Sequence, residues 1–382
     1  MVQVLGDVAA GYEGVRDAFV DNFEISHDVG ASVAVWAHGR PVVTLCGGTA
    51  DLVSGRSWSP DTIVTVFSMT KALTTTAVLH LAERGGIDLD ETVGRYWPEF
   101  GANGKGAITV RMLLSHRAGL PAVEGTFTLD QALAWEPIVE ALAAQAPRWP
   151  PGTSFGYHLR TFGWLVGEVF RRAAGCTVGR YAREHLTGPL DLDWFLPLPE
   201  ELEPRVARLV PPPPAYFAFM ASLPPDLLLV EAGGTPSGLF RYDDMWNTRA
   251  LRAVELPSSN SVTNASAVAK LYAALLAPVD GIQLLRQETV ADATIVRSSG
   301  MDQVLLSEMA YGTGYAVPPS LPARVGPRAF GHGGAGGSIG FADPDAGLAF
   351  AYTPNKLVFA LTDDERRERL VNALYEAHQR AG

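Results

Sequence analysis

Residues 69–85 constrain the fold more than any other stretch. Ala72, Leu73, Ala77, Val78, Leu79, Leu81 and Ala82 put apolar side chains nearly all round a helix that stops at Gly85-Gly86. A helix without a polar face has to be buried, so the rest of the chain must supply layers around it. Those layers can be read at the two ends. Ala31 to Ala37 and Pro41 to Gly47 are rich in Val and Leu, and the polar His38-Gly39-Arg40 joins them as a hairpin. Ser338 to Ala342 and Leu348 to Thr353 form a second hairpin around Asp343-Pro344-Asp345-Ala346-Gly347. A further strand is expected at 357–362, a charged closing helix at 364–380, and an opening helix at 4–24 carrying Val8, Tyr12, Val15 and Phe19 at helical spacing.

Between these ends the character changes. Helices are expected at 110–116, 129–146, 158–174 and 178–187, and an amphipathic one at 264–277. The intervening stretch 195–240 holds ten prolines beside Tyr216, Phe217 and Phe219. A loop that long is either a disordered linker or the wall of a site, and its aromatic content favours a wall. At 382 residues the chain is long enough for two compact units. The expected architecture is therefore α/β: one mixed, mostly antiparallel sheet built from both termini and flanked by helices, with a helical insertion. The division is expected at 1–85 plus 256–382 for the sandwich and 86–255 for the insertion, with a site between them.

Composition excludes several function classes. Asp and Glu number 41 against 30 Lys and Arg, a net charge of −11 with no basic run, which disfavours nucleic acid and anionic membrane as partners. The longest apolar stretch, Ala215 to Leu223, is too short to span a bilayer. The first residues lack a basic-then-apolar signal, so a cytoplasmic location is expected. Cys46 and Cys176 are unclustered, and no H-E-x-x-H or other ligand set implies a metal or another cofactor.

The lysines carry the chemistry. Only four occur, Lys71, Lys105, Lys270 and Lys356, and Lys71 lies three residues after Ser68 at the mouth of the buried helix. Residues i and i+3 share a helix face, so hydroxyl and amine are neighbours. Burial and the positive end of the helix dipole both favour a neutral amine there, one able to take the serine proton. Gly152-Thr153-Ser154-Phe155-Gly156 and Gly336-Gly337-Ser338-Ile339-Gly340 match the G-x-S-x-G elbow, which needs a strand before the serine and a helix after it. Trp149-Pro150-Pro151 cannot end a central strand, and Ser338 sits within a hairpin pattern with too little chain behind it, so neither is expected to be the nucleophile.

Ser68-Met69-Thr70-Lys71, Leu113-Leu114-Ser115-His116-Arg117-Ala118-Gly119-Leu120-Pro121, Pro151-Gly152-Thr153-Ser154-Phe155-Gly156-Tyr157 and Gly331-His332-Gly333-Gly334 follow one another in that order. Together they resemble the serine β-lactamase and penicillin-binding-protein superfamily, most closely its class C-like (family VIII) carboxylesterase branch. The resemblance covers roughly 30–355. It implies a β-lactamase/DD-peptidase-like three-layer sandwich, Ser68 as the acylated nucleophile, and Lys71 and Tyr157 as the pair that moves its proton. It also implies an oxyanion hole from the backbone N–H groups of Ser68 and Ala335, a substrate wall at His332, Gly333, Gly334 and Leu159, a small ester as the partner, and no metal or cofactor. Pro236-Ser237-Gly238 and Ser258-Ser259-Asn260 fall near the site without a firm alignment. His116 and His158 are expected to be structural.

Departures from the family pattern point to esters. The Y-x-N motif reads Tyr157-His158-Leu159, which removes an amide that a β-lactam side chain would use. His332 stands where K-T-G has a lysine, and a neutral imidazole is a poor partner for a carboxylate. Serine ester hydrolysis is thus expected. A β-lactamase or D-aminopeptidase, an acyltransferase, and a catalytically silent sensor are the alternatives. A slow acylating ester should leave its adduct on the peptide holding Ser68, located by mass spectrometry of the digest. An adduct on Ser154 or Ser338 would overturn this reading of the motifs.

Overall fold

The computed structural model describes residues 2–359 and 364–381. Its main sheet uses β1 (Val4–Val8), β2 (Gly30–Ala37), β3 (Arg40–Asp51), β4 (Phe330–Gly333), β5 (Ile339–Asp343) and β6 (Leu348–Pro354). They lie in the order β1-β3-β2-β6-β5-β4, with the short strand Arg56–Ser57 pairing to β3. Every pair in this sheet is antiparallel. The two hairpins expected from the sequence meet through β2 and β6, where Val33 faces Tyr352 and Val35 faces Phe350. Both ends of the chain therefore build one sheet.

The helices that position the site are α1 (Glu13–Glu24), α2 (Thr70–Glu83), α3 (Thr161–Ala174), α4 (Pro214–Ser222), α5 (Leu228–Gly234), α6 (Ala265–Leu276) and α7 (Glu365–Ala381). α1 and α7 pack together on one face of the sheet, with Val15, Phe19, Leu370 and Leu374 against Val33, Val35, Phe341 and Phe350. α6 covers the other face, against Ala34, Ala349 and Ala351. Both faces are buried, so the strands read as unbroken apolar runs. The side under α6 is built from small residues because the helix lies close. A Cβ on Gly340 would come within 2.5 Å of Val268 Cγ1.

α2 packs against α3 and the helix Val178–Ala182 and touches β4. Every residue from Thr70 to Leu81 is buried, as the all-round apolar pattern requires. Its threonines find partners in the surrounding loops: Thr74 donates to Pro257 O at 2.6 Å and Thr75 to Gly314 O at 3.2 Å. Buried hydroxyls without such partners would weaken the helix.

Local readings differ in five places. The expected helix at 4–24 starts with β1 instead, because Gly6 pairs so tightly with β3 that a Cβ would lie 1.9 Å from Thr44 O. Helix 129–146 is two helices, Leu129–Leu133 and Glu136–Ala144, separated by Trp135 at φ 72° with Pro137 starting the second. The stretch 178–187 is an α-helical turn followed by a π-helical one. The 195–240 stretch, expected as a long loop, is ordered and contains the helices α4 and α5, in keeping with the preference for an ordered segment over a disordered linker. Of the strand expected at 357–362, residues 357–359 are not extended strand and the rest lies outside the described residues. Among the described residues no helix is long and apolar enough to cross a membrane.

One buried ion-pair group ties α7 to the rest. Arg366 bonds Asp28 at 2.7 Å, Asp364 at 2.7 Å, and the carbonyls of Gly336 at 2.8 Å and Lys356 at 3.0 Å. Tyr352 also donates to Asp28. Arg366→Met leaves these acceptors buried and unpaired, so it should lower unfolding free energy by about 3–5 kcal/mol. Urea denaturation checks this; a loss under about 1 kcal/mol would show that the group is replaceable.

Candidate active site

Ser68 lies in a short 3₁₀ turn, Phe67–Met69, that leads into α2. Phe67 has φ 47°, a left-handed conformation held by edge contacts of its ring to Tyr242 at 5.4 Å and Trp246 at 5.0 Å. This turn leaves Ser68 half-buried with its hydroxyl toward Lys71. Its N–H belongs to the first turn of a helix, where amides lack intrahelical acceptors.

Lys71 is fully buried. Its Nζ lies 2.6 Å from Leu159 O, 3.2 Å from Ser258 O and 3.2 Å from Ser68 Oγ. A neutral amine has two N–H bonds and one lone pair. Two carbonyls can take the N–H bonds, which leaves the lone pair for the serine proton. Burial pushes the Lys71 pKa well below its usual value, and the Arg160 charge adds to the effect. Leu159 thus enters through its backbone: its carbonyl holds the amine.

Tyr157 closes the other side, with its ring 4.8 Å from Lys71 Nζ. Burial raises its pKa, while the hydrogen bond with Ser68 works the other way. The phenol therefore keeps its proton at neutral pH. Its hydroxyl lies 3.4 Å from His332 Nε2. His332 Nδ1 donates to Gly333 O at 2.7 Å, which fixes the tautomer and leaves Nε2 as the acceptor for the tyrosine. Burial, then the nearby Lys71, push the His332 pKa down to about 3. The structure thus brings Ser68, Lys71, Tyr157 and His332 into one cluster.

Gly334 and Ala335 follow β4 in a turn closed by Gly334 N–H to Ser338 O at 2.7 Å. Glycine is required at 334, since a Cβ would lie 2.1 Å from Val66 O. The turn is therefore pressed against the segment that carries the nucleophile. Ser338 is buried and donates its hydroxyl to Val66 O at 3.1 Å, which locks the same contact. Ser154 is half-buried, and its carbonyl receives Trp149 Nε1–H at 3.3 Å.

The two expected structural histidines lie beneath Tyr157. His158 Nδ1–H donates to Gly156 O at 2.7 Å and its Nε2 accepts Leu120 N–H at 3.0 Å. His116 Nδ1 accepts His158 N–H at 3.2 Å, and its ring lies 4.8 Å from that of Tyr157. Burial keeps both imidazoles neutral, with His158 pushed down to about 4. Ser258 contributes its carbonyl to Lys71, as above, while Asn260 Nδ2 donates to Leu251 O at 2.6 Å and braces that loop. Ser237 Oγ accepts Phe127 N–H at 2.9 Å. Among the described residues no group of three or more His, Cys, Asp or Glu is placed to hold a metal ion.

Sequence reasoning missed Arg160. It follows the Tyr157 motif and opens α3, yet it is only 4% exposed. A charged residue just before the apolar first turns of α3 was the available signal.

Residues 17–374 match the Beta-lactamase family. The chain is 36% identical over 368 residues to the Esterase/beta-lactamase LipL of Mycobacterium tuberculosis, covering 94% of this chain and 84% of that protein. It superposes on the crystal structure of a family VIII carboxylesterase with a TM-score of 0.89 at 34% identity, over 98% of this chain and 100% of the other. EstA from Arthrobacter nitroguajacolicus Rue61a gives a TM-score of 0.88 at 33% identity, over 98% and 99%.

The site geometry requires a His332 that does not charge in the working range. In a histidine-labelled sample, the imidazole resonance that disappears in His332→Gln should stay constant from pH 8 down to about pH 5. A titration midpoint near 6.5 would place that ring in water and away from Lys71.

Proposed function

Because this chain belongs to the beta-lactamase family, we propose that it is a serine hydrolase that cleaves carboxylic esters through an acyl-enzyme on Ser68. The observation that carries this reading is the fully buried Lys71, with Nζ in contact with two backbone carbonyls and the Ser68 hydroxyl; burial pushes its pKa down, toward the neutral amine that the base role needs. In the proposed cycle Lys71 Nζ takes the Ser68 proton as Oγ attacks the ester carbonyl. The N–H groups of Ser68 and Ala335 hold the oxyanion, an arrangement worth several kcal/mol in the transition state. The Tyr157 hydroxyl gives its proton to the departing alkoxide and recovers one from the Lys71 ammonium. Water then repeats the sequence in reverse, with the acyl group leaving Ser68. His332 Nε2 accepts the tyrosine O–H in the resting site, and the hydroxyl turns from it to the alkoxide when the proton is given; Gly333 and Gly334 form the edge along which substrate lies.

Support for esters over β-lactams comes from the same residues. Leu159 replaces the side-chain amide of the family motif, and its carbonyl is already occupied by Lys71. His332 is uncharged and supplies no cation for the carboxylate of a β-lactam. The carboxylesterase structure carries ester hydrolysis in its name, which agrees with this reading, while LipL is named for both esterase and beta-lactamase activity.

Paired steady-state kinetics on a short-chain p-nitrophenyl ester and nitrocefin test the proposal. Ser68→Ala should abolish ester turnover. Lys71→Arg should be nearly as inactive as Lys71→Ala, because a guanidinium keeps its proton and cannot act as the base. Wild-type turnover should fall as the pH drops, since protonation of Lys71 removes the base. Lys71→Arg retaining more than about a tenth of wild-type turnover would remove the lysine from its role, since tenfold is worth about 1.4 kcal/mol in the barrier. Nitrocefin hydrolysed as efficiently as the ester would overturn the substrate assignment.

A further inference from the structure

Arg160 is a cation in the wrong place for a purely structural residue. Its side chain is buried, and Nε donates to Gly233 O at 2.9 Å in α5. The guanidinium lies over three rings, 4.9 Å from Phe240, 5.5 Å from Tyr242 and 5.2 Å from Trp246. Nη2 is buried and has no hydrogen-bond partner. Among the described residues no carboxylate lies within salt-bridge distance of Arg160, although many of the chain's other arginines are paired. An arginine keeps its charge even when buried, and leaving that charge without an anion is costly. Aromatic faces, a hydrogen bond with the Tyr242 side chain and the Gly233 carbonyl offset part of the cost, and no anion balances the charge.

The place of this charge matters as much as its isolation. Arg160 adjoins Leu159, whose carbonyl holds Lys71, and its own carbonyl accepts Ser258 Oγ at 3.0 Å beside the second Lys71 acceptor. Tyr242 and Trp246, which face the guanidinium, also carry the ring of Phe67, the residue before the nucleophile. One wall thus runs from Ser68 to the unpaired donor. The field of Arg160 reaches both Lys71 and Tyr157. An anion of the protein itself there would hold Lys71 protonated, so a counter-ion brought by the substrate fits the chemistry better than a resident one.

We propose that Arg160 is a specificity-determining residue that binds an anionic group of the substrate, so that the preferred esters carry a carboxylate. This rests on the ester reading above and narrows it. A guanidinium fork can donate two parallel N–H bonds to a carboxylate, and the free Nη2 supplies one of them. Because the side chain is buried, α5 and the 236–242 segment, which supply Gly233, Phe240 and Tyr242 against the guanidinium, have to move aside to admit the group.

The test compares each carboxylate ester with its neutral counterpart. Monophenyl glutarate against phenyl pentanoate places the charge on the acyl side, and 4-acetoxybenzoate against phenyl acetate places it on the alcohol side. In wild type, kcat/KM for the anionic member should exceed that of the neutral one by about tenfold or more in at least one pair. That preference should weaken as salt rises, shrink in Arg160→Lys and vanish in Arg160→Met. The wild-type ratio reads the proposal even where a variant folds poorly. Neutral esters turned over at least as fast in both pairs would overturn the proposal and leave ester hydrolysis standing. A preference that survives Arg160→Met in folded protein would also overturn it. No turnover of any of the four would overturn the ester reading itself, and this inference with it.

Discussion

The site is organised by the cost of burying a charge beside Lys71. Two unit charges a few ångströms apart in a poorly hydrated interior repel by several kcal/mol. Arg160 cannot give up its proton and adds to the effect of burial at Lys71, while burial is the leading reason that the other basic groups of the site stay neutral. Lys71 does so with its N–H bonds on two carbonyls, His332 with Nδ1 on Gly333 O, and His116 and His158 within a chain of backbone contacts. Tyr157 is protonated for the complementary reason, that a buried phenolate is costly. The result is a set of proton donors and acceptors that carries little charge of its own. This is the condition under which a serine proton can move to an amine without first displacing water.

The fold meets this condition by drawing the groups from distant segments. Ser68 and Lys71 come from the head of α2, Tyr157 and Arg160 from the approach to α3, the Ser258 carbonyl from the loop before α6, and His332 from the edge strand β4. Tight contacts fix their relative positions: Gly334 against Val66, Ser338 Oγ on Val66 O, and Ser261 joined to Thr70 through a pair of hydrogen bonds. Arg366 extends the bracing outward. By holding Gly336 O it couples α7, on the far face of the sheet, to the turn that presents Ala335. A change in that remote cluster can therefore reach the site through the backbone.

Much of this was legible along the chain. The all-apolar helix, the two hairpins, the closing helix and the Ser68 to Lys71 spacing are short-range patterns, and each appears where its periodicity placed it. The readings that failed did so where a distant segment overrode a local one. Val8 and Tyr12 have helical spacing, but Gly6 lies against β3 and turns the first residues into a strand. The proline-rich 195–240 stretch lacks clear periodicity, and its helices α4 and α5 gain support from aromatic contacts such as Tyr216 on Phe359.

The sequence by itself determined which groups this chain has for chemistry, because a serine and a lysine three apart on a buried helix share a face whatever surrounds them. It also determined what is missing, the amide after Tyr157 and the lysine at His332. Only the tertiary structure decided the state of those groups. That Lys71 rests on two carbonyls, that His332 presents Nε2 to Tyr157, and that Arg160 lies beside them with an unused donor all depend on residues about 70 to 190 positions away. Protonation is set by desolvation and neighbouring charge, and both are properties of the packed interior rather than of the chain order.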